Sequence, residues 1–151
     1  MQFTIPKLVW SRRQRKIKFH FEAIQEAVKK ALPFCLEKPR YPNHQLPQMI
    51  EVTFLNDRSI AQIHAQFLQD PTPTDVITFS YGPELGEILI GIPTVAMHAK
   101  QFHQSIDHEV TRCVIHGLLH LLGYDDRTTQ EHRMMHDQQE AILKKIYSTT
   151  I

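Results

Sequence analysis

Residues 105–123 constrain this chain more than any other segment. Ser105 can cap a helix, and Val110, Val114, Leu118 and Leu121 then recur at helical spacing. Gly123 supplies the left-handed residue on which such a helix reverses. A helix with that stripe must lie against a sheet, yet it carries His116 and His120 among Val114, Ile115, Leu118, Leu119, Leu121 and Leu122. At i and i+4 the two imidazoles share one face, with Cβ atoms about 5–6 Å apart. An unpartnered polar group in such surroundings costs ~1–3 kcal/mol, so both rings need partners, and one metal ion supplies them. Beyond the glycine the chain presents Asp126, ten positions after His116. Two histidines and a carboxylate, with a fourth position open to water, form a catalytic rather than a closed structural site. This nitrogen and oxygen set suits zinc, with manganese, iron or nickel also acceptable. Asp125 is the rival third ligand, or else orients a ligating histidine. His132 and His136 repeat the spacing inside a polar, charged run and read as solvated side chains.

The rest of the chain alternates strands and helices. Residues 3–10 read as a strand, with Pro6 favouring an edge. Ile17, Phe21, Ile24, Val28 and Leu32 predict a helix over about 15–32, and prolines 33, 39, 42 and 47 predict a loop after it. Residues 49–55 alternate as a strand, and Asn56 or Asp57 can cap the next helix, which ends at Asp70-Pro71-Thr72-Pro73. Two further strands, 76–81 and 87–92, flank a turn. Pro93 suits the first position of a helix reaching Phe102, and Thr128-Thr129-Gln130-Glu131 opens a last helix running to about Tyr147. No repeat or linker interrupts this order, so residues 1–151 read as one α+β domain with the histidine helix at its centre.

Composition narrows the setting. The net charge of +1 neither requires nor excludes a nucleic acid. Cys35 and Cys113 are too few for a disulfide scaffold and do not pair as zinc ligands, so buried, inert thiols are expected. With no membrane-length apolar stretch and no secretory pattern, a reducing cytoplasmic location follows. Charge is concentrated locally: Arg12, Arg13, Arg15, Lys16 and Lys18 fall within seven residues. They can meet phosphates or form a solvated helix start. At a helix N-terminus their repulsion from the dipole tilts the balance toward function. Trp10, Phe79 and Tyr81 are candidates for stacking bases, with Phe79 better read as core because it alternates with Ile77.

The order of histidines, glycine and third ligand is that of metzincin-type zincins, whose proteases carry a glutamate base directly after the first histidine. Gly117 stands there, which counts against peptide hydrolysis. The block His116-Gly117-Leu118-Leu119-His120-Leu121-Leu122-Gly123-Tyr124-Asp125 resembles instead the YbeY family, bacterial metallo-endoribonucleases specific for single strands that mature ribosomal RNA. Pro73-Thr74-Asp75-Val76-Ile77-Thr78-Phe79 is similar to that family's P-T-D-V-L-S-F segment, and Leu85-Gly86-Glu87-Ile88-Leu89-Ile90 to its L-G-D-I-V-I strand. Leu55-Asn56 matches the pair preceding its second helix, so the likeness covers roughly residues 50–146.

The resemblance implies a zincin-like domain with a mixed sheet of about four strands. It also implies one zinc ion on His116, His120 and Asp126, with Thr74 and Asp75 near the cleft. The expected activity is maturation of the 3′ end of small-subunit ribosomal RNA, with a part in ribosome quality control and the ribosome or its small subunit as partner. A metal-activated water and the 2′-hydroxyl of RNA both remain open as nucleophile, and no side chain is assigned as general base. Two positions depart from the family: its usual third ligand is histidine where Asp126 stands, and its arginine six residues before Thr74 is Leu68 here. Other readings are a non-catalytic RNA- or ribosome-binding factor with a structural metal, and a zincin-type hydrolase of another substrate.

Overall fold

A computed structural model describes residues 5–147. Among them, β1 (Lys7–Arg12), β2 (Met49–Leu55), β3 (Val76–Ser80) and β4 (Leu85–Gly91) form one sheet in the order β1-β2-β4-β3. β1, β2 and β4 run parallel, and β3 returns antiparallel along the outer side of β4. Around them lie α1 (Phe21–Glu37), α2 (Asp57–Leu68), α3 (Ile92–Gln101), α4 (Ile106–Leu121) and α5 (Thr129–Tyr147). This is the expected α+β architecture with a four-stranded mixed sheet. Residues 3 and 4 of the expected first strand lie outside the described residues.

The two faces of the sheet are buried unequally. Ile50, Val52 and Phe54 of β2, with Ile88 and Ile90 of β4, pack against Ile24 and Val28 of α1 and against α4 and α5. The opposite face carries a smaller cluster of Leu55, Ile77 and Leu89 closed by Ile60 of α2. Strand alternation produces this division, since neighbouring residues point to opposite faces. α4 is central: it touches α1, α3, α5, β3 and β4. Its approach to the sheet is tight at Gly117, where an added Cβ would stand 2.8 Å from the Ile88 side chain. Position 117 therefore faces β4 and has no room for the glutamate that a zincin protease carries there.

Caps set several helix starts as the sequence predicts. Ser105 Oγ accepts from the His108 amide at 3.1 Å, Asn56 Oδ1 from the Ser59 amide at 2.8 Å, and Thr128 Oγ1 from the Glu131 amide at 3.1 Å. The first helix differs from expectation at both ends. It begins at Phe21, because the buried Gln14 side chain both donates to the Ile17 carbonyl (2.8 Å) and accepts from the Ile17 amide (3.1 Å), holding residues 14–17 as a loop. It also continues through Pro33 to Glu37. Pro33 removes one helical hydrogen bond, to the Lys29 carbonyl, but both residues lie on the exposed side, where water can serve that oxygen. Cys35 and Leu36 meanwhile gain buried positions. Both cysteines are free and buried, and burial pushes the Cys35 thiol up to about 12. The two later strands sit slightly off their expected limits because the Tyr81 amide closes the turn on the Leu85 carbonyl at 2.9 Å. No helix among the described residues is long and apolar enough to cross a membrane.

Candidate metal centre and cleft

His116 and His120 project from the last turns of α4, where the apolar stripe of that helix fixes their direction. Their rings meet edge to face with centroids 4.7 Å apart. The next residues turn back on Gly123, whose φ of +96° is left-handed. Around that turn, the Tyr124 hydroxyl donates to the Lys38 carbonyl at 2.8 Å and the Arg40 amide to the Leu122 carbonyl at 3.2 Å, so the segment after α1 clamps it. The reversal carries Asp126 back to the histidines, with its Oδ2 3.8 Å from His120 Nε2. One ligand atom from each of His116, His120 and Asp126 lies within 4.8 Å of the others.

Hydrogen bonds fix which nitrogen each histidine offers. His116 Nδ1 donates to Gln139 Oε1 of α5 at 2.7 Å, and His120 Nδ1 donates to the Tyr124 carbonyl at 3.1 Å. Both Nε2 atoms are left for a cation, in the arrangement by which outer partners hold ligating histidines. Burial, chiefly, pushes the His116 imidazole below its ordinary value; its bond to Gln139 opposes this and neighbouring His120 reinforces it. A neutral imidazole is the form that ligates, so the donor set fits a divalent metal.

Asp125, the rival ligand, is occupied elsewhere. Its Oδ1 accepts from the Asp126 amide at 2.7 Å and its Oδ2 pairs with Arg127 Nε at 2.9 Å. It shapes the turn and leaves Asp126 to face the histidines.

The three residues stand in a cleft of about 700 Å³ between β3 and the 123–127 turn. Thr74, Asp75, Thr78 and Ser80 line one side, His44 and Arg127 also border it, and so does Leu68. Asp75 holds the strand entrance: its Oδ1 accepts from the Val76 amide at 2.8 Å, and its Oδ2 lies 3.7 Å from His98 Nδ1. Thr74 presses on Gly91, where a Cβ would collide with the Thr74 carbonyl. Thr74 and Asp75 thus both stand on the border of this cleft. On the far side of His116 a second hollow of about 440 Å³ includes His132, His136 and Arg112. His132 and His136 are exposed, as their polar context predicts.

Other sequence-based candidates fall away from the cleft. Arg12, Arg13, Arg15, Lys16 and Lys18 are all exposed, but they extend from the end of β1 into the loop before α1. β1 is the sheet edge opposite β3, so the basic run is not beside the metal ligands. Its supposed conflict with a helix dipole also disappears, since the helix starts later. Trp10 packs against Phe21 and Phe54 with centroids 6.0 Å away in each case, which makes it part of the core rather than a stacking platform. Phe79 is half-buried on the α2 face, and Tyr81 is exposed with its hydroxyl donating to Glu87 at 3.0 Å.

Gln139, His44 and Arg127 escaped the sequence reading. A signal existed for Gln139: it is an amide inside the buried stripe Met135, Gln139, Ile142 of α5. His44 lies in a proline-rich loop with no periodicity to place it.

The family model for Endoribonuclease YbeY matches residues 9–147. Endoribonuclease YbeY of Chlamydia trachomatis serovar D is 31% identical over 147 residues, covering 91% of this chain and 86% of its own. The protein of that name from Rhizobium etli is 30% identical over 122 residues, covering 75% and 71%. In fold, the chain is similar to the solution structure of TM1509 from Thermotoga maritima, with a TM-score of 0.61 and 23% identity across 93% of this chain and 89% of that one. The histidine block, the α+β sheet and a match over nearly the full length agree: the chain belongs to the YbeY endoribonuclease family.

Proposed function

We propose that this protein is a zinc-dependent endoribonuclease that cleaves single-stranded RNA during ribosomal RNA maturation, working at the ribosome in the cytoplasm. Residues 1–151 are read as one domain for this task. The observation that carries the reading is the convergence of His116, His120 and Asp126 in an open cleft, each histidine oriented through its Nδ1. Family membership supports RNA as the substrate.

His116, His120 and Asp126 would hold the ion, and Gln139 and the Tyr124 carbonyl fix the two rings. When bound, a divalent ion supplies Lewis acidity toward water and a phosphoryl oxygen. The protein's own contribution is to keep His116 neutral by burial and to hold Asp125 in the turn, where its Oδ1 accepts from the Asp126 amide. Thr74, Asp75 and the polar side chains of β3 border the path along which a strand of RNA would lie. The exposed run Arg12–Lys18 would meet RNA flanking the cleft, a role that its distance from the ligands favours over contact at the cleaved bond.

The test measures zinc content and cleavage of single-stranded RNA for wild type, His116→Ala and Asp126→Ala. Stoichiometric zinc and cleavage in wild type, both lost in the variants, are expected. Zinc retained with cleavage unchanged in Asp126→Ala would overturn the ligand set. Wild type that binds zinc and leaves RNA intact would overturn the activity.

A further inference from the structure

We propose that Arg127 is the cation that engages the scissile phosphate. The inference rests on the endoribonuclease reading and adds a catalytic residue to it. Cleaving a phosphodiester concentrates negative charge on the phosphoryl oxygens, and fixed cations aimed there stabilise that charge most. Three carboxylates, those of Asp75, Asp125 and Asp126, border the cleft, and Arg127 is the single lysine or arginine among its described lining residues. It directly follows Asp126, so the guanidinium is tethered one residue from the ligand set.

Its geometry suits the task. Arg127 gives Nε to Asp125 Oδ2 at 2.9 Å, which orients the group and leaves both terminal nitrogens for a forked contact with two phosphoryl oxygens. The side chain is 84% exposed. An exposed pair of this kind is worth only about 0–1 kcal/mol, so a phosphate can draw the guanidinium inward at little cost.

Other cations near the cleft or in the basic run are engaged or remote: the Arg40 guanidinium lies over the Tyr41 ring, 4.9 Å from its centroid, and is not among the cleft-lining residues. Arg112, one turn before His116, is bracketed by Glu109 at 3.2 Å and Glu140 at 3.1 Å and borders the other hollow. The basic run sits at the opposite sheet edge. Leu68, at the position of the family arginine, lines the same cleft as Arg127 and is exposed. The charge missing at one place on the cleft is thus available from another.

The experiment compares wild type, Arg127→Ala, Arg127→Lys and the double variant Arg127→Ala/Leu68→Arg. It reads kcat on single-stranded RNA with the zinc-loaded protein, zinc content, and affinity of the metal-free protein for the same RNA as salt is varied. Arg127→Ala should lower kcat by about 100- to 1000-fold, the usual loss for one donor to a developing oxyanion, with zinc content intact. Its salt slope for RNA binding should fall by about 1, as expected for one lost phosphate contact. Lysine should restore part of kcat, and Leu68→Arg should recover activity in the alanine background. Unchanged kcat, or zinc lost together with activity, overturns the proposal; the second result would make Arg127 a prop for the ligand turn. If wild-type protein cleaves no RNA, the activity fails by itself, and the salt slope still decides whether Arg127 meets a phosphate.

Discussion

At the scale of single residues, the ligand set depends on what holds each side chain from behind. Gln139 is the sole hydrogen-bond partner that the described residues give His116 Nδ1. Replacing it with leucine should weaken zinc binding about 10- to 100-fold, the range seen when such orienting partners are lost, as measured by competition with a chelator. Asp125→Ala should retain zinc where Asp126→Ala loses it, because both Asp125 oxygens are already engaged. The histidine pair was legible in the sequence because apolar surroundings made it conspicuous, and Asp126 because it follows the glycine turn. Choosing Asp126 over Asp125 was only half legible: adjacent carboxylates look alike until a turn aims them. Arg127 gave no sign at all, since a charged residue after a glycine turn is ordinary until the cleft around it is visible.

At the scale of elements, α4 is committed on every side. One face holds the ligands, and another is pressed so closely on β4 that Gly117 cannot take a side chain without moving Ile88. Gly117→Ala should therefore destabilise the fold by ~1–3 kcal/mol, the usual cost of overpacking a core, read as a lower urea midpoint. A midpoint equal to wild type would mean that the helix can slide off the strand. Helix caps and strand alternation were legible because they depend on neighbours in sequence. The limits of α1 were not: Ile17 keeps the helical period, but a buried glutamine captures its backbone. Pro33 reads as a stop, but Cys35 and Leu36 beyond it have a core to enter.

At the scale of the whole molecule, stability should depend on pH through buried imidazoles. Burial lowers both His108 and His116 below the ordinary 6.5, so the unfolded chain binds more protons in acid than the folded one. The stabilisation is complete above 6.5 and is lost as pH falls toward the folded values. His108 packs on the Tyr147 ring, and Arg112, Glu109 and Glu140 act on it. The urea midpoint of metal-free protein should drop between about pH 7 and pH 5, with a shallower fall in His108→Phe. Asp70, held down by Thr72, loses its contribution only in stronger acid, below its ordinary 3.8. The bond between Gln139 and His116 has a further consequence, because it joins the ligand helix to the last helix of the described chain. An ion that steadies His116 also steadies the seating of α5, so cofactor loading should be written into the breathing of a helix that supplies no ligand. Amide hydrogen exchange along residues 129–147 should slow on adding zinc and quicken under chelation, and Gln139→Leu should disconnect the two. That would make α5 an occupancy gauge, readable without RNA and without turnover.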